Sequence, residues 1–288
     1  MPDKLNIKFS GEPLSYGKVI LDILNEFESR EGMPFLIYED SRNSLSILEA
    51  NKSNKCIVYL LDTTALSNSP QSVSVIDLLA DDCMILVPWS NRINELSSSY
   101  PKRKFYNLPL PVMKASAEVS MGSETLICFT GPLESRLSET IDELKKLDQS
   151  TKIKILNVNH NEALVQSAVL NEGIEDIEVL FPKSVDDIVG FIRESGRMVF
   201  PHNTSLRDLH WSYLYALAYE KEVILALRSD LESVPSFVPR YYLGDRPSLK
   251  NASKDTSDLG SSYIEEVHSV EGFLWELQRL IQIFISTK

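Results

Sequence analysis

The chain has 288 residues, of which 43% are hydrophobic and 24% charged, with a formal net charge of -12; this is the composition of an ordinary globular protein, long enough for two modest domains that need no disulfide or metal to hold a core. An acidic balance excludes a broad polyanion-binding surface, which requires clustered Lys and Arg, so nucleic acid is not an expected partner. No apolar run approaches the ~20 residues of a bilayer span and the start MPDKLNIKF lacks the pattern of a signal peptide, so a cytoplasmic location is expected.

Leu5, Ile7 and Phe9 alternate with polar residues up to Ser10-Gly11, which predicts a first strand ending in a turn. In the following SYGKVILDILNEFESR, Val19, Ile20, Ile23, Leu24 and Phe27 recur at helical spacing and leave Lys18, Asp22 and Glu26 facing water. Apolar runs at 35–38, 56–61 and 83–88 read as short buried strands between polar or helical stretches, the alternation of parallel βα units. Cys56, Cys83 and Cys128 each sit inside an apolar run and read as small buried hydrophobes, in keeping with a reducing compartment. Lys102, Arg103 and Lys104 form a basic cluster of the size of a solvated turn. Residues 107–124, NLPLPVMKASAEVSMGSE, combine prolines with small and polar residues and predict an interdomain linker.

Beyond it, strands are predicted at 125–130, 152–157, 177–181, 197–200 and 222–227, alternating with helices near 137–148, 161–172, 185–194 and 208–220. That is a five-stranded doubly wound sheet. Ile188, Val189 and Ile192 form one helix's buried stripe, and Leu206, Leu209, Tyr213, Leu214 and Leu217 another's. The polar stretch 244–262 is expected to be a loop. Phe273, Leu274, Leu277, Leu280, Ile281, Phe284 and Ile285 make a final helix whose stripe must dock on apolar surface. The expected layout is therefore a first domain over 1–113, a second over 122–268, and a terminal helix over 269–288.

No CxxC, HExxH, G-x-S-x-G or P-loop pattern occurs, so neither a metal nor a cofactor is expected, and hydrolase, ATPase and dehydrogenase readings have no support. His202 and His210 read as structural histidines.

Two successive Rossmann-like halves followed by an amphipathic helix resemble the GT-B glycosyltransferases, in particular their retaining group 1 branch. Residues 78–112, LLADDCMILVPWSNRINELSSSYPKRKFYNLPLPV, look like the end of that family's acceptor domain, and 125–226 looks like its donor domain. The implied fold is α/β, with two Rossmann-like domains facing a cleft and a C-terminal helix returning to the first. LICFTGPLESRLSETIDEL resembles the strand, glycine and basic residue before the donor domain's first helix, which implies Gly131 at the strand end and Arg136 on the donor diphosphate. Exposed backbone N–H groups and a guanidinium both suit phosphate oxygens, although both residue types also serve ordinary turns. IEVLFPKSVDDIVGFIRESGRMVFPHNTS resembles the base-binding loop, the helix after it and the strand ending in Pro-Ser, which implies Phe181, Pro182 and Lys183 beside a nucleobase; alternatively Phe181 closes the core at a strand end.

PHNTSLRD brings His202, Asn203, Thr204, Ser205 and a helix N-terminus to the carboxyl end of a parallel strand, where such sheets bind ligands, while Thr204 or Ser205 equally suits a helix cap. FSGEPLSYGK stands in place of the family's glycine-rich first turn and implies Gly11, Ser15, Tyr16 and Lys18 along the cleft, with a solvated helix face as the other reading of Lys18. WSYLYALAYEKEVILAL resembles the acidic helix and next strand, usually "EAMA", glycine, then "PVI", but the family's acidic residue falls on Tyr215 and its glycine on Glu220. The partner acidic residue falls around Arg207 and Asp208. Asp208 substitutes if the loop shifts by one residue; otherwise Arg207 reverses the local charge.

The resemblance implies transfer of a sugar from a nucleotide-sugar donor to an unidentified acceptor, whether glycan, lipid-linked sugar, small molecule or protein, with Arg136 and Asp208 as catalytic residues. Its rival is a catalytically degenerate GT-B domain that binds or scaffolds a partner enzyme, and a third reading is a divergent sugar- or nucleotide-binding α/β protein. A partner protein or a homodimer is compatible with each.

Overall fold

The computed structural model describes residues 6–10, 16–25, 34–38, 56–61, 75–114, 124–129, 152–157, 177–200, 206–226, 234–238, 240–241 and 255–286. The chain divides into two compact units, Met1–Pro111 together with Val267–Lys288, and Val112–Glu266.

In the first unit the strands are β1 (Asn6–Ser10), β2 (Pro34–Tyr38), β3 (Ile57–Leu60), β4 (Met84–Val87) and β5 (Phe105–Asn107), with helices α1 (Tyr16–Asn25), α2 (Val75–Leu78) and α3 (Ser90–Ser99) among them. Each strand pairs in parallel with the next, in the order β1-β2-β3-β4-β5. Every residue of β3 and β4 is buried, as continuous apolar runs of a parallel sheet covered on both faces must be. On one face Cys56, Val58, Leu60, Cys83, Ile85 and Val87 pack with Ile76, Leu79 and Leu96 from α2, the residues after it and α3. In α1 the described part of the predicted stripe holds: Val19, Ile20, Ile23 and Leu24 are buried while Lys18 and Asp22 are exposed; Glu26 and Phe27 lie outside the described residues.

The second unit carries β6 (Thr125–Phe129), β7 (Ile153–Asn157), β8 (Ile177–Leu180), β9 (Arg197–Phe200), β10 (Glu222–Ala226) and β11 (Arg240–Tyr241). They form a six-stranded parallel sheet in the order β11-β10-β9-β6-β7-β8. The sequence predicts five strands; the sixth, β11, is a two-residue edge element, too short to carry an apolar periodicity. Helices α4 (Val185–Glu194), α5 (Leu206–Ala218) and α6 (Asp255–Val267) follow, and α7 (Val270–Ser286) belongs to the first unit. The helices predicted near 137–148 and 161–172 lie outside the described residues.

The start of α4 is fixed by a capping box. Asp187 N–H donates to Ser184 Oγ at 3.1 Å, and the Ser184 and Lys183 N–H groups donate back to Asp187 Oδ2 at 3.1 and 2.8 Å. Ser184→Ala is therefore expected to cost about 1 kcal/mol of unfolding free energy, read from urea denaturation.

From Trp211 to Tyr219 every residue of α5 and its C-terminal turn is buried, so this stretch is enclosed on all sides rather than along one stripe; the side chains of 206–210, with Leu206 and Leu209 of the expected stripe, lie outside the described residues. Against it lies α6, which corrects the loop expected over 244–262: from Asp255 onward that stretch is helical. Its serines and threonine are poor helix formers, but Ile264 is buried and Gly260 sits where an added Cβ would come within 3.0 Å of Leu217 Cδ2. Close packing on α5, not local propensity, makes this helix. The rest of 244–262 lies outside the described residues.

In α7, Phe273, Leu277, Leu280, Ile281 and Phe284 are buried and Trp275 points outward, 66% exposed. Phe273 meets Tyr59 of β3 with ring centroids 6.2 Å apart. The segment after β5 is tied to the same unit by three side chains. Tyr59 Oη donates to Leu108 O at 2.7 Å, Tyr16 Oη donates to Pro111 O, and His268 Nδ1 lies 2.7 Å from Leu110 O.

Candidate functional site

In an open parallel sheet a ligand crevice forms beyond the carboxyl ends of the strands where the strand order reverses, because the loops leaving two neighbouring strands there turn to opposite faces. The second unit has such a point. Its β6 is flanked by β7 on one side and β9 on the other, with Thr125, Leu126 and Ile127 in register with Arg197, Met198 and Val199. The chain therefore leaves β6 after Phe129 and β9 after Phe200 at neighbouring places. The first unit's order, β1-β2-β3-β4-β5, runs without reversal among the described strands and offers no equivalent crevice.

α5 connects β9 to its parallel neighbour β10, so it runs back against the strands and starts at their carboxyl edge, at Leu206. A helix start presents backbone N–H groups without helical partners and the positive end of the macrodipole, an environment for anionic groups. Arg207 and Asp208 both lie in this first turn.

Of the residues predicted for the site, Gly11, Gly131, Arg136, His202, Asn203, Thr204 and Ser205 lie outside the described residues. Tyr16 opens α1; it is buried, with its hydroxyl donated to the Pro111 carbonyl. Phe181 is half-buried, Pro182 buried and Lys183 exposed, all at the carboxyl end of β8. The main-chain N–H of Lys183 is engaged by Asp187 in the α4 capping box. That bond, the largest cause, together with those from Ser184, holds the Asp187 carboxyl below the usual carboxylate range. Its contribution is present above the ordinary carboxylate pKa and is lost as pH falls through the lowered one. With strands about 4.8 Å apart, β8 lies two places from β6 and three from β9 along one edge.

Where the resemblance expects an acidic residue, Tyr215 is only 2% exposed. Its ring meets Trp211 edge-on at 6.1 Å and stacks with Tyr219 at 6.5 Å, an aromatic ladder at i, i+4 and i+8 on α5. Tyr213 is fully buried beside it, and burial pushes its phenol well above the ordinary value.

Where the resemblance expects a glycine, Glu220 has a φ of 57°, the left-handed region that favours glycine. It closes α5 in a Schellman turn: Lys221 N–H bonds Ala216 O at 2.9 Å and Glu220 N–H bonds Leu217 O at 3.0 Å. The backbone here takes a conformation that glycine adopts most readily, and a glutamate occupies it. Glu220→Gly is expected to stabilise the protein by about 1 kcal/mol, read as a higher urea midpoint. The ion pair it gives up, to Lys114 at 3.9 Å, joins two exposed side chains and contributes little.

Lys221, passed over in the sequence reading, is buried, and that burial lowers its ammonium pKa while Glu220 partly restores it. Its sequence context is a charge pair, Lys221-Glu222, leading into the apolar run of β10. Among the described residues no group of His, Cys, Asp and Glu is arranged to hold a metal ion, and no helix is long and apolar enough to cross a membrane.

Neither a protein-family model nor a curated protein sequence matches the chain. Solved structures do. HepE from Anabaena, in complex with UDP and glucose, is similar with a TM-score of 0.64 at 11% identity, over 98% of this chain and 100% of HepE. A glycosyltransferase from Rickettsia africae ESF-5 is similar with a TM-score of 0.58 at 10% identity, over 100% of this chain and 99% of the other. TarM from S. aureus, in complex with Fondaparinux, alpha-GlcNAc-glycerol and UDP, is similar with a TM-score of 0.54 at 11% identity, over 96% of this chain but only 55% of TarM. The chain thus spans little more than half the length of TarM and the full length of the other two. At these identities the likeness establishes the fold: α/β, with two Rossmann-like units, as in the GT-B glycosyltransferases.

Proposed function

We propose that the chain is a glycosyltransferase that moves a sugar from a nucleotide-sugar donor to an acceptor of a class still to be identified. The observation that carries this reading is the strand reversal between β6 and β9 with the start of α5 at the same edge, in a fold shared with a structure holding UDP and glucose. We place the donor domain at 122–268 and the acceptor side at 1–113, with Gly11 and Tyr16 on that side. The main chemical task is to stabilise the diphosphate as it leaves, which calls for N–H donors and fixed positive charge that strengthen as negative charge develops. Arg136, the N–H groups after Gly131, and the 202–205 run leading into α5 supply them. Phe181 and Lys183, two strands from β6, read the base at the other end of the donor. Asp208, in the first turn of α5, serves the transferred sugar if the loop shifts by one residue; otherwise Arg207 reverses the charge at that place and favours a phosphate. A cytoplasmic place of action goes with this reading.

Thermal-shift titration against UDP-, GDP-, CDP- and dTDP-sugars tests it. A donor at a hundredfold over its Kd adds about 2.7 kcal/mol and raises the melting midpoint by several degrees; no shift with any of them at millimolar concentration sinks the reading. Arg136→Ala is expected to slow donor hydrolysis about 100-fold, the scale of losing one preorganised donor, and to leave the ligand-free melting midpoint in place. Unchanged hydrolysis removes Arg136 from the site.

The burial of Tyr215 favours a second reading, a catalytically degenerate GT-B subunit that binds a partner enzyme. The same titration separates the two, since a subunit without a donor site shifts with none of the sugars.

A further inference from the structure

Two thiols meet at the amino ends of β3 and β4. Cys56 and Cys83 immediately precede Ile57 and Met84, which are register partners across this parallel pair, so the cysteines continue the same ladder one step earlier. Met84 N–H donates to Cys56 O at 3.1 Å, which holds the two backbones together at that step. Neighbouring strands lie about 4.8 Å apart, inside the Cα separation of roughly 4.4–6.8 Å that a disulfide spans. Both side chains belong to the cluster that includes Val58, Leu60, Ile85 and Val87, and their sulfurs are 3.3 Å apart in a thiol hydrogen bond. Closing that gap to the S–S length of about 2.05 Å takes side-chain rotation rather than a strand shift.

The two positions differ in access. Cys56 is 2% exposed and Cys83 7%, the latter following the turn at Asp81 and Asp82. The hydrogen bond from Cys56 lowers the Cys83 thiol to about 7 against the opposing effect of burial, so a share of Cys83 is thiolate at neutral pH.

We propose that Cys56 and Cys83 are a redox couple that closes to a disulfide when a hydroperoxide reaches Cys83 and reopens with a thiol reductant. The Cys83 thiolate attacks one oxygen of hydrogen peroxide, forming an S–O bond as the O–O bond breaks, and the hydroxide released takes up the proton that Cys83 gave off, leaving as water. Cys56 then attacks the Cys83 sulfur. The S–S bond forms, the S–O bond breaks, and the second hydroxide leaves as water with the Cys56 proton. The thiols lose two electrons and two protons, and the peroxide is reduced to two waters. The product staples β3 to β4 and closes the loop from 56 to 83 in the unfolded chain, which stabilises the folded state.

The test is treatment of the full chain with hydrogen peroxide, followed by alkylation, proteolysis and mass mapping, with melting curves in parallel. Expected are a single linked peptide pair containing Cys56 and Cys83, Cys128 free to alkylate, a melting midpoint higher by roughly 10 °C, and reversal of both by dithiothreitol. Cys83 advancing to sulfinic acid while Cys56 still alkylates, or a bridge to Cys128 instead, overturns the assignment. In Cys56→Ser the resolving thiol is gone, so a dimedone adduct should accumulate on Cys83 where the unaltered chain shows almost none. Equal adduct in both also overturns it. Should that variant fail to fold, the mapping of the unaltered chain decides alone.

Discussion

Between pH 7 and pH 4 the first unit should lose about 3 kcal/mol of stability that a His268→Asn chain keeps. His268 is 2% exposed, and burial, partly offset by its bond to Leu110, lowers its pKa to about 4. Its Nδ1 faces a carbonyl, which only accepts, so the neutral ring donates through Nδ1–H. In the unfolded chain the imidazole takes a proton near pH 6.5, while in the folded one it resists until about pH 4. Across that window the unfolded state binds more protons. The contribution is therefore complete above the unfolded value and drains away as pH falls. Asparagine places an amide donor where Nδ1–H lies and does not titrate. Urea unfolding of both chains at pH 7 and pH 4 reads the effect as a difference of differences, in which carboxylate titration cancels. Parallel losses in the two chains defeat the prediction.

Placing an acidic residue at position 215, where the resemblance expects one, should damage the protein. Tyr215→Glu removes the middle rung of the aromatic ladder between Trp211 and Tyr219 and places a carboxylate in a stretch of helix buried at every residue from Trp211 to Tyr219. Loss of a buried aromatic costs about 3–5 kcal/mol, and the carboxylate adds to it unless it stays protonated. We expect at least about 4 kcal/mol of destabilisation, with no gain of transferase activity. Tyr215→Phe, which keeps the ladder, should cost about 1 kcal/mol. Urea unfolding of the pair gives both numbers, and a Glu variant as stable as the unaltered chain would mean that this position faces solvent.

The elements were legible where a local rule decides them. Parallel strands buried on both faces read as unbroken apolar runs, which is why β3, β4 and β9 fall where the sequence places them. α4 begins where its Ser184 box dictates. α6 was not legible, because Gly260 acts as a spacer against Leu217, and nothing in the local sequence distinguishes a spacer from a breaker. The site was legible only as a set of candidate loops. That β9 lies beside β6 is a pairing between distant segments, so the reversal that marks the crevice is invisible until register is known. Tyr215 and Glu220 stood out by residue type, but whether they matter turned on burial in one case and on φ in the other. Cys56 and Cys83 were read correctly as buried and missed as a pair, since only the β3–β4 register makes neighbours of them; the side chain of Cys128 lies outside the described residues.

The first unit is discontinuous: α7 completes a sheet whose strands all precede the second unit in sequence. On the ribosome β1 to β5 emerge while Phe273, Leu277 and Leu280 have yet to be made, and the whole of Val112–Glu266 is synthesised in between. The second unit can fold during that interval as a single uninterrupted stretch. The surface around Tyr59 meanwhile waits without its cover, a period in which a nascent-chain chaperone has apolar surface to hold. Of the two units, the one whose strands are made earlier is the one completed later.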